Sequence, residues 1–104
     1  MNEEQFRQSL REKNYGEGQF KEYPPNTDGP MHTHEFSVLL LVVGGEFMLA
    51  QESGVTTYRP GEICELAAGA KHVERSGSSG ARILLGRSML EAGILLIGEC
   101  DAPG

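Results

Sequence analysis

The chain has 104 residues, 38% of them hydrophobic and 23% charged, which suits one folded domain around a single core rather than a disordered segment. A formal net charge of -6, with no dense Lys/Arg patch interleaved with aromatics, argues against nucleic-acid binding. The longest apolar runs, Val38–Val43 and Ile94–Ile97, are strand-sized and far short of the ~20 residues that span a bilayer, and Met1–Gln5 is polar and acidic, unlike a secretory signal, so a cytoplasmic location is expected.

The first predicted element is a helix over residues 3–13, rich in helix formers, with Phe6 and Leu10 spaced i, i+4 on one face. Asn2 is placed to cap it, Glu3 and Glu4 suit the positive end of its dipole, and Gly16 and Gly18 end the pattern. Its apolar stripe is expected to pack on the outside or rim of the β-rich remainder of the chain. From Gly18 onward, glycine and proline break the chain at Pro24-Pro25, Asp28-Gly29-Pro30, Gly44-Gly45, Ser53-Gly54, Pro60-Gly61, Gly69 and within 77–80. The runs between are rich in Val, Ile, Leu, Thr, Phe and Tyr, so they read as short strands joined by tight turns. They fall at 18–23, 34–43, 46–51, 55–59, 62–66, 72–75 and 81–87. The tail, residues 88–104, holds one more apolar run at Ile94–Ile97, read as a last strand or a contact with a dimer partner. The two cysteines, Cys64 and Cys100, suggest neither a disulfide framework nor a zinc knuckle.

The three histidines carry the main clue. His32 and His34 are separated by one residue at the mouth of a predicted strand, where a two-residue repeat projects both imidazoles from one face. His72 opens a later strand, straight after Ala67-Ala68-Gly69-Ala70-Lys71, and closure of the sheet would bring it opposite the pair. Three neutral imidazoles suit Zn, Fe, Ni or Cu. Glu74, two residues beyond His72, shares its face on a regular strand, and reads either as a metal ligand, as a base beside the metal, or as a rim carboxylate. Glu35, next to His34, points the other way. Ser-His-Asp, phosphate-loop and paired-carboxylate glycosidase patterns are absent from the sequence.

At these residues the chain resembles the cupin superfamily. The first cupin motif, glycine, a short spacer, His-x-His, an acidic ligand and a later glycine, is matched by Gly29-Pro30-Met31-His32-Thr33-His34 and then Gly45. The second is matched by Gly61, five residues, Ala67-Ala68-Gly69, and His72, so the likeness covers residues 18–87. Three positions depart from the pattern. Val38 stands where the glutamate ligand is usual, Ala67 replaces the motif proline, and Ser76 the late asparagine.

The resemblance implies an all-β fold, a cupin-type antiparallel β-barrel (double-stranded β-helix or jelly roll) with a short N-terminal helix. It implies a divalent metal ion, Zn, Fe, Ni, Mn or Cu, on His32, His34 and His72; strand periodicity, not the resemblance, offers Glu74 as a candidate for the missing glutamate, the alternative being a rim carboxylate. Phe36, Val38, Cys64 and Leu66 would line a substrate pocket, and Glu74 and Tyr23 are the candidates for acid or base work. Two kinds of function are expected from such a domain. One is a dioxygenase- or isomerase-like metalloenzyme acting on a small organic substrate; the other is a small-ligand binding or sensing module without turnover. Exposed strand edges suggest a homodimer.

Overall fold

The structure, a computed structural model, describes residues 1–88. The Ile94–Ile97 run and Cys100 therefore lie outside the described residues, as does the tail beyond Ser88.

Among the described residues, six elements occur in chain order: α1 (Glu3–Glu12), β1 (Gln19–Tyr23), β2 (Ser37–Gln51), β3 (Gly54–Tyr58), β4 (Ile63–Leu66) and β5 (Val73–Ser88). The helix starts in a reciprocal cap. Asn2 Oδ1 accepts from the Gln5 amide at 2.8 Å, and Gln5 Oε1 accepts from the Asn2 amide at 3.0 Å. Phe6 and Leu10 are fully buried, and they pack on Leu39, Leu41 and Leu84 from the outer face of the sheet. The expected stripe thus sits where the i, i+4 spacing put it.

All strand pairs are antiparallel. The sheet runs β1-β5-β2-β3, and β4 pairs with the first half of β2. The ladders do not close into a ring among the described residues, because β1, β3 and β4 each have one partner. The closed barrel expected from the resemblance is not what the pairing shows; among the described residues the architecture is an antiparallel sheet with one short helix. Its inner face carries the main core, in which Val38, Leu40, Val42, Phe47, Leu49 and Ile83 meet residues of β4.

A second difference concerns the glycines. Gly44-Gly45 and residues 77–80 are not turns. β2 and β5 run through them as strands of 15 and 16 residues, paired along almost their whole length, with register shifts at Val42/Gly44 and Gly45/Phe47. Gly45 has φ +69, and a Cβ there would collide with the Gly80 carbonyl oxygen; Gly80 has φ +76, and a Cβ would lie 2.6 Å from the Tyr23 carbonyl oxygen. The glycines permit a close approach of β1, β5 and β2 at a bulge instead of a chain reversal.

The bulge also decides which side chains reach the site, because an inserted residue flips the set that faces inward. On β5, Ala81, Ile83 and Leu85 face the core beyond the bulge, whereas before it the inward set is Glu74 and Ser76, in step with His72 just ahead of the strand.

Candidate metal centre

Two backbone features bring the histidines together. His32 and His72 face each other across an isolated antiparallel bridge, with His32 N to His72 O at 2.9 Å and His72 N to His32 O at 3.0 Å. His34 comes two residues after His32, ahead of β2, and its ring centroid is 4.8 Å from that of His32 and 5.0 Å from that of His72. All three predicted imidazoles therefore meet. The His-x-His segment lies in the stretch leading into β2 and not within the strand itself, but the two-residue alternation still holds because bridging keeps the backbone extended.

Glu74 joins them. Its Oε2 lies 3.3 Å from His32 Nε2, 3.6 Å from His34 Nε2 and 3.1 Å from His72 Nε2. The four ligand atoms lie within 4.8 Å of one another. Donors held about 2.1 Å from one ion at roughly right to tetrahedral angles stand about 3.0–3.4 Å apart; the Glu74 spacings to His72 and His32 fall in that range, and the 3.6 Å to His34 is slightly longer. The group could hold a metal ion. His72 is wholly buried, and the Glu74 side chain is 15% exposed.

The outer contacts fix the orientation of the donors. His32 Nδ1 lies 2.9 Å from the Pro30 carbonyl oxygen and His72 Nδ1 lies 3.0 Å from that of Ala70. When each Nδ1–H donates to its carbonyl, the Nε2 lone pair is left toward the cluster, the usual arrangement behind a ligating imidazole. The His34 ring stacks on Phe36, centroids 4.8 Å apart and planes 18° from parallel. The carboxylate divides its work between two oxygens. Oε2 faces the imidazoles, while Oε1 accepts from the Tyr23 hydroxyl at 2.6 Å and lies 3.6 Å from Lys21 Nζ.

These contacts set the protonation states. Burial alone would push the Glu74 carboxyl up, but the Tyr23 hydroxyl, the Lys21 charge and then His72 and His32 outweigh it and hold the group at about 2. Tyr23 is pushed well above its ordinary value by burial first and by its bond to the Glu74 carboxylate second, so it keeps its proton and serves as a donor. His34 is lowered below 6.5, by burial first and the neighbouring His72 second, which favours its neutral, ligating form.

Phe36, Val38, Cys64 and Leu66 line a cavity of about 50 Å³ that reaches Glu74 and His34. Val38, at the usual glutamate position, is buried opposite Leu66 and offers no donor. Cys64 is buried and its thiol is pushed up, chiefly by burial, so it behaves as a small apolar side chain. Glu35 is exposed on the other side, and Ser76 is spent on the Thr27 amide at 2.9 Å. Sequence reasoning missed Lys21, whose partner lies across a strand pairing that no local pattern reveals, and Arg87, which also lines the cavity.

No protein-family profile matches the sequence, and no curated protein does. Solved structures do match in fold. A protein of unknown function from Rhizobium leguminosarum bv. viciae 3841 superposes with TM-score 0.64 at 21% identity, over 68% of this chain and 67% of that one. A cupin-2 domain containing protein from Shewanella frigidimarina NCIMB 400 gives TM-score 0.58 at 16% identity, over 66% of each chain. The polyketide cyclase RemF from Streptomyces resistomycificus gives 0.59 at 23% identity, over 68% of this chain and only 53% of the cyclase. The chain spans about half of that enzyme's length, and about two thirds of the other two.

Proposed function

Since the chain has the cupin fold, we propose that it is a small metal-binding cupin that holds one divalent ion on His32, His34 and His72 through Nε2, with Glu74 as the fourth donor in place of the glutamate missing at residue 38. One observation carries this reading: Glu74 Oε2 stands 3.1–3.6 Å from three imidazole Nε2 atoms, two of whose rings have the other nitrogen beside a backbone carbonyl. The sheet that carries this cluster is read as the wall of a cupin barrel.

The reading extends to a metalloenzyme, dioxygenase- or isomerase-like, for a small organic substrate. A bound ion would supply Lewis acidity, or redox chemistry with O2 if it is iron or copper. The protein's own groups do the rest. Tyr23 and Lys21 hold the ionised Glu74 in place by its outer oxygen, so the other oxygen keeps one orientation toward the imidazoles that would hold the ion. Phe36, Val38 and Leu66 give the cavity apolar walls that exclude water from the reacting end. The small enclosed volume, about 50 Å³, favours a second reading, a binding or sensing module that holds a small ligand without turnover. Among the described residues β1 and β3 each have one unpaired edge, which supports a homodimer.

Elemental analysis of the purified protein tests the central claim. The wild type should carry about one divalent ion per chain and the His32→Ala, His34→Ala variant none. Metal retained by a folded double variant would place the ion elsewhere.

A further inference from the structure

The cluster has a cationic mouth inside an acidic protein. The chain holds 15 Asp and Glu against 9 Lys and Arg, and most of its arginines find a carboxylate. Arg7 pairs with Glu3, Arg59 with Glu46, Arg75 with Asp28 and Arg82 with Glu22, while Arg11 bonds Gln8. The Arg87 guanidinium has no carboxylate or carbonyl partner among the described residues. It lies 5.0 Å over the Phe36 ring, and Phe36 in turn stacks on His34. Among the described residues, the aromatic contact leaves the fork of N–H donors without a hydrogen-bond acceptor at the edge of the metal-ligand cavity. Lys21 stands on the neighbouring strand, 4.9 Å over the Tyr23 ring and 3.6 Å from Glu74, and lines the same cavity.

We propose that Arg87, assisted by Lys21, is an anion-recognition element that binds the carboxylate of a short organic acid whose other end reaches the His32/His34/His72/Glu74 cluster. This rests on reading the cluster as the reacting end. A guanidinium with free donors matches a carboxylate in two parallel hydrogen bonds. Two stacking steps, 4.8 Å and 5.0 Å, separate His34 from Arg87, so the molecule that bridges them is only a few carbons long. The cavity volume of about 50 Å³ and its apolar walls ask for the same compact aliphatic body. The two cations also offset the Glu74 charge that would otherwise repel an incoming anion.

The test is an NMR titration of the full chain with butyrate and with butyramide, matched in shape but not in charge, before and after loading with Co(II). The Arg87 Nε–H and the Phe36 ring report binding. Butyrate is expected to bind about tenfold more tightly than butyramide, and Arg87→Gln to reduce that preference to about twofold or less. Lys21→Gln should reduce it partially. Arg87 is exposed, and the amide spectrum of the variant verifies that the fold is kept. Equal affinity for the two probes, or a preference that survives Arg87→Gln, overturns the proposal. The visible bands of Co(II) report separately on the cluster. A butyrate preference without Co(II) uptake retains the anion site and removes the metal reading; Co(II) uptake without the preference does the reverse.

Discussion

Replacing Tyr23 by phenylalanine removes one oxygen and leaves the ring, which packs against Phe47 with centroids 5.5 Å apart. What is lost is the 2.6 Å hydrogen bond to Glu74 Oε1. Glu74 falls from an ordinary 4.5 to about 2 in the folded protein, against burial that pushes the other way. At ~1.36 kcal/mol per pH unit that gap corresponds to at most about 3–4 kcal/mol, and less once solvent at the mouth screens it. The hydroxyl's share is about 1–2 kcal/mol, the range for a hydrogen bond to a charged group after that discount. The folded pKa is depressed, so the stabilisation is complete above the unfolded carboxyl value and disappears as pH falls from 4.5 toward 2. Urea unfolding of metal-free Tyr23→Phe and wild type, compared from neutral to acid pH, reads this directly. The two should differ by about 1–2 kcal/mol at pH ~7 and converge in acid. A variant as stable as wild type at neutral pH, or a deficit unchanged in acid, would refute the account of how Glu74 is held. In the same variant metal affinity should fall about 10–100-fold, the usual loss for an outer partner of a ligand.

The geometry sets three further outcomes. Phe6→Ala empties a fully buried site between α1 and the outer sheet face and should cost about 3–4 kcal/mol in denaturant unfolding while leaving metal stoichiometry unchanged. Gly45→Ala forces a side chain into a left-handed backbone against Gly80, and should cost about 2–4 kcal/mol and lower the melting temperature; a neutral result would remove the bulge from the design of the site. Co(II) affinity, followed by its visible spectrum, should drop as pH falls from ~7 to ~5, because ligating imidazoles must be neutral, and the drop should begin below 6.5 for His34, whose burial favours the neutral ring.

Local rules carried a large part of this. The helix was legible because Asn2, Gln5, Phe6 and Leu10 act within one or two turns, and capping and i, i+4 burial need no distant partner. The strands were legible from alternation and from glycine and proline breaks. The inward set Val38, Cys64 and Leu66 followed from strand periodicity. The glycine pairs were misread because a left-handed glycine serves a turn and a bulge equally well, and only the facing strand tells them apart. Glu74 illustrates the same limit. Periodicity put it beside His72, but whether it met the other two rings depended on β5 shifting its register at residues 77–80.

The sequence alone determined which residue types were available: three imidazoles at two-residue and distant spacing, one carboxylate in step with His72, and an amphipathic helix to cover the sheet. Tertiary structure decided their convergence. Tyr23, Lys21, Phe36, Glu74 and Arg87 come from three separate stretches of chain, and their distances are set by antiparallel register and by bulges. Register is an interaction between strands, a property of no single segment, so it is fixed only when the whole sheet packs.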